Sequence, residues 1–153
     1  LAIHGPQIMR GYWNKPEASA DVFVTRDGKT YLRTGDVATM DEDGFLKIVD
    51  RIKAMIAVGG FKVFPSVVED VILEHDAVKE ALVIGVPDDY RGEVPRAFVT
   101  LADGAAVTGE TLRDWLNAKI GKPERVDEVV IRDELPKTII GKLDRKALRA
   151  EVL

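Results

Sequence analysis

The sequence predicts an α+β fold: a β-rich opening segment, then a unit of about 100 residues combining a short, mostly antiparallel sheet with helices and a β-hairpin. Three observations lead there. Residues 1–50 carry short strand-like runs punctuated by turn signals, with no amphipathic helix of normal length. Beyond Lys53 the order becomes hairpin, helix, strand, strand, helix, strand, helix. Those strands are too few and too closely connected for a doubly wound parallel sheet.

Leu1-Ala2-Ile3-His4-Gly5 reads as the middle of a strand, and Leu1 is not an initiator methionine, so the chain is expected to be cut from something longer. Gly5-Pro6 signals a turn, and Lys15-Pro16-Glu17-Ala18-Ser19 starts a short helix with proline in its first turn. Asp27-Gly28 marks another turn. Asp41-Glu42-Asp43-Gly44 joins strands at 36–40 and 45–49 into a hairpin. This half is expected to lack enough partners to close a core.

Gly59-Gly60 separates apolar runs at 55–58 and 61–64, the two-residue loop of a tight hairpin with positive φ. Ser66-Val67-Val68-Glu69 matches a capping box for a helix running to about His75. Residues 81–86 and 96–101 read as buried strands with a polar loop over 87–95 between them. Thr108 caps a helix whose apolar face carries Leu112, Trp115, Leu116 and Ile120, stopped by Gly121 and Pro123. One more strand is expected at 126–131, followed by a turn and a last helix.

The chain has 153 residues, 46% apolar and 31% charged, enough to bury a core. Its net charge of −4 argues against a nucleic-acid surface. From Pro136 onward, however, Lys137, Lys142, Arg145, Lys146 and Arg149 face only Asp144 and Glu151, which suits a local anion. The absence of cysteine excludes disulfides, thiolate metal sites and a cysteine nucleophile. His4 and His75 are too far apart in sequence to form a metal constellation, so no metal ligand is assigned. No apolar run reaches the ~20 residues of a membrane span and no signal peptide is visible, so a cytoplasmic chain without a transmembrane segment is expected.

Lys142 stands out. It follows Gly141 in a short turn just ahead of the last helix, where the macrodipole disfavours a cation by ~0.3–1 kcal/mol. A lysine held there is a candidate anion contact. From the residues alone the more ordinary reading is a solvated lysine on a cationic helix.

Four segments in order carry a wider resemblance. Gly11-Tyr12-Trp13-Asn14-Lys15-Pro16 resembles a GYxxxP segment, and Tyr31-Leu32-Arg33-Thr34-Gly35-Asp36 resembles a Y-x-TGD motif. Asp50-Arg51-Ile52-Lys53, continuing to Gly59-Gly60-Phe61-Lys62-Val63, resembles a hinge motif. The stretch 135–148 resembles the closing P-K-T-x-x-G-K-[IL]-x-R motif. Together they resemble the C-terminal portion of the adenylate-forming enzymes: acyl- and aryl-CoA synthetases, peptide-synthetase adenylation domains and luciferases. The match runs over essentially the whole chain.

The resemblance implies two domains: 1–50, the β-rich end of a large adenylating domain whose remainder is missing, and 51–153, a C-terminal lid. It implies that Asp36 accepts hydrogen bonds from the ribose hydroxyls of ATP, a task for an acceptor-only carboxylate. Arg51 would approach the ribose and phosphate as a planar, permanently charged donor. Lys53 would be the hinge, absorbing the φ/ψ change between two rigid bodies. Gly60 would let the pantetheine arm of CoA pass close to the backbone. Lys62 stands where many relatives carry arginine, which loses a bidentate fork and keeps the charge. Lys142 would be the catalytic lysine, reaching the substrate carboxylate and the α-phosphate. On the residues alone, Gly35-Asp36 can simply begin a strand, Arg51 can be a surface ion pair, Lys53 an ordinary exposed lysine, and Gly59-Gly60 only a turn.

The implied reaction joins ATP and a carboxylic acid into an acyl-adenylate, then transfers the acyl group to CoA. Mg2+ would accompany ATP, with no ligand identifiable in these residues. Asp88-Asp89-Tyr90-Arg91-Gly92-Glu93 resembles a loop of fatty-acyl-CoA ligases, pointing to a medium- or long-chain fatty acid. The family's phosphate loop and acyl pocket lie upstream of these motifs, so this chain alone is expected to be inactive. Three rivals remain. One is an adenylation domain loading a carrier protein. Another is a luciferase-like oxidase, whose second lysine would fall at Ala57. The third is a non-catalytic binding module that kept the lid fold.

Overall fold

In the computed structural model, which describes residues 1–153, every buried apolar side chain lies beyond Ala54. The chain divides into two units, Leu1–Lys53 and Ala54–Leu153.

In the first unit, β1 (Ala2–Ile3), β3 (Lys29–Arg33) and β2 (Phe23–Arg26) form an antiparallel sheet in the order β1-β3-β2. Helix α1 (Pro16–Val22) starts on the expected proline. The β2–β3 turn places Asp27 at φ 50° and Gly28 at φ 71°, the positive pair that a two-residue hairpin needs. A second hairpin pairs β4 (Asp36–Met40) with β5 (Leu46–Arg51). Asp41 closes its turn by accepting the Phe45 N–H at 2.8 Å. The register pairs Ala38 with Ile48 and Met40 with Leu46, so Met40, Leu46 and Ile48 share one exposed face. Only Asp50, 7% exposed, is buried in this unit.

A short 3₁₀ turn, Ile52–Ala54, leads into the second unit. There β6 (Ile56–Val58) and β7 (Phe61–Val63) form the expected hairpin, with Gly59 at φ 55° and Gly60 at φ 88°. Helix α2 (Pro65–Ile72) follows. The centre of the unit is the long antiparallel hairpin of β8 (Val78–Asp88) and β9 (Gly92–Leu101). Beyond it come α3 (Gly109–Lys119), β10 (Val129–Ile131) and α4 (Arg145–Val152). β10 runs parallel to β9, and all other pairings are antiparallel. The fold is α+β.

The sheet is covered on both faces. Ala81, Val83, Ala97 and Val99 pack with Val68, Ile72, Leu112 and Leu116 of α2 and α3. Leu82, Ile84, Val86 and Phe98 turn the other way, onto Leu135 and Leu148 of the closing segment. Two-sided burial is why 81–86 reads as a continuous apolar run rather than an alternating one.

Three local expectations need correction. Ser66 does not cap α2: the helix begins at Pro65 with Phe64 extended before it, because proline fixes φ for the first helical position and keeps its predecessor out of the helix. Glu69, the other half of that box, turns instead toward β8 and α4. The polar loop over 87–95 shrinks to a turn at 89–91. Pro87 sits on β8, whose one partner is β9, and Pro95 falls between the stretches of β9 paired to β6 and to β10. At both places a missing N–H spares the ladder. The strand expected at 126–131 starts at Val129, because the Asn117 side chain takes both backbone groups of Val126 at 2.9 Å. No helix is long and apolar enough to cross a membrane.

Candidate functional site

Lys142 sits at the end of a turn tied together by Thr138. The Thr138 N–H donates to the Lys142 carbonyl at 2.7 Å, and the Lys142 N–H donates back to Thr138 Oγ1 at 3.2 Å. The Gly141 N–H reaches the Thr138 carbonyl at 2.8 Å, with Gly141 at φ 78°. Lys137 and Leu143 form an antiparallel bridge at the base. Helix α4 begins two residues beyond Leu143, capped by Asp144, whose Oδ1 accepts the Ala147 N–H at 3.0 Å. Lys142 therefore lies just outside the helix, on a braced turn.

The neighbouring cations are mostly spent. Lys137 pairs with Glu80 at 2.6 Å, Arg145 with Glu69 at 2.6 Å, and Arg149 with Glu93 at 2.9 Å. No such pair engages Lys142, which is exposed. The positive balance of the tail thus contracts to Lys142 and, inside the helix, Lys146.

Sequence reasoning did not find Arg145 as an anchor. Its Nη2 lies 2.6 and 2.8 Å from the two carboxylate oxygens of Glu69, and its Nε donates to the Val83 carbonyl at 3.1 Å. Glu69 Oε1 also accepts the Val83 N–H at 2.7 Å. One arginine thereby fastens the segment behind Lys142 to α2 and β8. The partners lie 76 residues apart, and no local pattern reveals them.

The hairpin carrying Gly60 and Lys62 hangs on the opposite end of the central strands. Val58 pairs with Gly92, and the Gly59 N–H donates to the Arg91 carbonyl at 2.8 Å. A Cβ on Gly59 or Gly60 would meet nothing within 4 Å, so the positive φ, not crowding, is what calls for glycine. Lys62 is exposed on β7 opposite Ala57. The adjoining turn is held by Asp88, whose Oδ1 accepts the N–H of Arg91 at 2.7 Å and of Tyr90 at 3.1 Å. The Arg91 N–H, foremost, holds the Asp88 carboxyl below its usual value.

Glu80, beside the Lys142 turn, and Asp88, beside the Gly60 hairpin, are eight residues apart on β8, or about 26 Å at strand rise. The Lys142 turn and the Gly60 hairpin thus lie toward opposite ends of β8, not brought together.

Asp36 and Arg51 do come together. They are register partners across β4 and β5, with Arg51 Nε 2.9 Å from Asp36 Oδ1. The ion pair read from the residues alone is made with Asp36, while the Asp50 carboxylate accepts the Arg51 N–H at 2.6 Å. Thr34 Oγ1 accepts the Asp36 N–H at 3.1 Å, and Gly35 turns the chain at φ 80°. The Asp36 side chain is 20% exposed and that of Arg51 72%, so both remain open to a ligand. Lys53 is an exposed residue of the 3₁₀ turn and the last of the first unit.

The chain is similar to known proteins in sequence and in fold. The model of the AMP-binding enzyme C-terminal domain matches residues 67–142. A long-chain-fatty-acid–CoA ligase of Bacillus subtilis (strain 168) is 44% identical over 151 residues, 99% of this chain and 26% of that protein. A feruloyl-CoA synthase of an Amycolatopsis species is 40% identical over 149 residues, 97% of this chain and 30% of that protein. Among solved structures, the amide bond synthetase McbA from Marinactinospora thermotolerans superposes with a TM-score of 0.87 at 38% identity, covering 99% of this chain and 30% of that one. The chain spans about a quarter of the length of the long-chain-fatty-acid–CoA ligases it matches. Through residues 67–142 the chain belongs to the AMP-binding enzyme C-terminal domain family.

Proposed function

We propose that this chain is the lid, with an adjoining β-rich strip, of an AMP-forming acyl-CoA synthetase that activates a fatty acid. The carrying observation is the separation of Lys142 and Gly60 to opposite ends of β8. A lid so built presents one end or the other to a single active site, and two half-reactions need two such ends.

In the first, a carboxylate oxygen attacks the α-phosphorus of ATP. A C–O–P link forms, the bond to the β-phosphate breaks, and pyrophosphate leaves. Negative charge gathers on crowded oxygens, where a desolvated ammonium such as that of Lys142 is worth far more than in water. Its lack of an ion-pair partner leaves it available. Asp36 would accept the ribose hydroxyls, and Arg51, oriented by Asp36, would approach the ribose and phosphate. In the second, the CoA sulfur attacks the acyl carbon, AMP leaves, and the bare backbone at Gly60 passes the pantetheine arm. Lys62 would stand beside that arm as a cation.

The turn at Lys53, at the divide between the two units, supports its assignment as hinge. The coreless first unit, with Met40, Leu46 and Ile48 exposed, supports its being a strip of a larger adenylating domain. No group of three or more His, Cys, Asp or Glu is placed to hold a metal, so these residues do not fit a protein-bound ion. A divalent cation would enter on the ATP phosphates instead. The fatty acid rests on the relatives' activity and on the segment 88–93; the acyl pocket would lie outside these residues.

The test uses the full-length protein. Lys142→Ala is expected to slow acid-dependent ATP–pyrophosphate exchange by about 10²–10³-fold and to spare thioester formation from supplied acyl-adenylate. Gly60→Leu is expected to do the reverse. Equal loss of both half-reactions in both variants would sink the assignment, and exchange activity in the isolated chain would show that it is no mere lid.

A further inference from the structure

We propose that Glu93 is a positioning residue for the thioester half-reaction: its carboxylate sets the Gly59-Gly60 turn and ties it to α4. This rests on the assignment of Gly60 to the CoA path.

The hairpin of β6 and β7 is seated by its side chains, with Ile56, Val58 and Val63 buried in the core, but its backbone ladder to the sheet is short. β7 pairs with β6 alone, and β6 joins β9 through the single register pair Val58–Gly92, next to the Gly59 N–H bond to Arg91. Both contacts lie at the tip. Backbone hydrogen bonding to the sheet is thus confined to the tip, and the exposed Ala57 edge between the buried Ile56 and Val58 is not part of that ladder. Glu93 provides a second point farther back, because Oε2 accepts the Ala57 N–H at 3.3 Å.

The other oxygen makes the bond to the helix. Oε1 accepts from Arg149 Nη2 at 2.9 Å. Arg149 lies one turn beyond Arg145, which is fastened to Glu69 and Val83. The helix behind Lys142 is therefore anchored near its start and reaches the CoA-side hairpin one turn later, through one carboxylate.

The backbone is cut to fit this bridge. A Cβ on Gly85 would lie 3.0 Å from Glu93 Oε1, 3.1 Å from its Cδ and 2.9 Å from Ile56 Cγ2. Gly85 leaves the floor on which the carboxylate and the first residue of β6 rest. The Glu93 side chain is 26% exposed and that of Arg149 51%, so the ion pair by itself adds little to global stability. The effect of the bridge is on position, which separates it from a merely structural contact.

The test compares Glu93→Ala, Glu93→Gln and Arg149→Ala in the full-length protein. Glu93→Ala is expected to raise the KM for CoA about tenfold and to speed hydrogen exchange at the Ala57 amide by a similar factor, with ATP–pyrophosphate exchange and Tm near wild type. Glu93→Gln keeps an oxygen for the Ala57 N–H and is expected to recover most of both effects. Arg149→Ala should fall between. An unchanged KM for CoA, or equal loss in both half-reactions, overturns the proposal. A wild-type protein with neither half-reaction would defeat the functional assignment itself. In that case faster exchange at Ala57 in Glu93→Ala still upholds the mechanical hold, and unchanged exchange overturns it.

Discussion

Lys142 is held by its backbone and left free at its ammonium, and Thr138 makes the difference. The hydroxyl accepts the Lys142 N–H while the Thr138 N–H takes the Lys142 carbonyl, so a single residue fixes where the lysine leaves the turn. Thr138→Val keeps the shape and loses the hydroxyl acceptor. Adenylation is expected to fall roughly fivefold, the equivalent of one neutral hydrogen bond of about 1 kcal/mol, with Thr138→Ser restoring it. Stopped assays of the two half-reactions decide this, since the CoA step should not change. Asp88 offers a second test. Its pKa is depressed in the folded state, chiefly by the Arg91 N–H, so its contribution is present above its unfolded value of 3.8 and fades as pH falls through the lower folded value. Asp88→Asn is expected to lower Tm near neutrality, with the gap to wild type closing in strong acid. A gap that stays constant with pH would contradict this.

Between elements, Glu69 and Arg145 join α2, β8 and α4 through one guanidinium nitrogen shared by both carboxylate oxygens and two backbone bonds. The Glu69 side chain is 13% exposed and that of Arg145 28%. Breaking it from one side leaves a largely buried carboxylate, so Arg145→Ala is expected to cost about 2 kcal/mol in urea unfolding. Arg145→Lys should recover only part, since one ammonium lacks the planar fork that reaches Glu69 through Nη2 and the Val83 carbonyl through Nε. This tie shows what a sequence withholds. Turns announced themselves, because Asp27-Gly28 and Gly59-Gly60 meet a local steric demand for positive φ. The α3 cap was legible too, since Thr108 Oγ1 accepts the Thr111 N–H within its own turn. The start of α2 departs from the sequence pattern because Pro65 overrides a plausible capping box, and the β9 start because prolines look like loop until the neighbouring strands are known. Contacts such as Arg145 to Glu69 and Arg51 to Asp36 follow from register and packing, and no window of adjacent residues contains them.

At the scale of the whole chain, burial is lopsided. Both apolar clusters lie within Ala54–Leu153, while the first unit keeps Met40, Phe45, Leu46 and Ile48 at its surface. Chain entropy of about 1–2 kcal/mol per ordered residue must be offset largely by buried apolar area, which the first unit does not have. A protein trimmed to 54–153 is therefore expected to unfold cooperatively, with dispersed amide resonances, because its sheet is covered on both faces by its own helices. A protein trimmed to 1–53 is expected to show a collapsed amide spectrum and no thermal transition. Its hairpins supply hydrogen bonds and turns but no interior, and isolated hairpins are marginal in water. The comparison is made by proton–nitrogen correlation spectra and calorimetry on the two pieces. A cooperative transition in 1–53 would mean that the apolar face of β4 and β5 closes on itself or on another copy, and that the first unit needs no larger domain. Failure of 54–153 to fold would place part of its stability in residues before Ala54, and the proposed rotation about Lys53 could not then be that of an independent body.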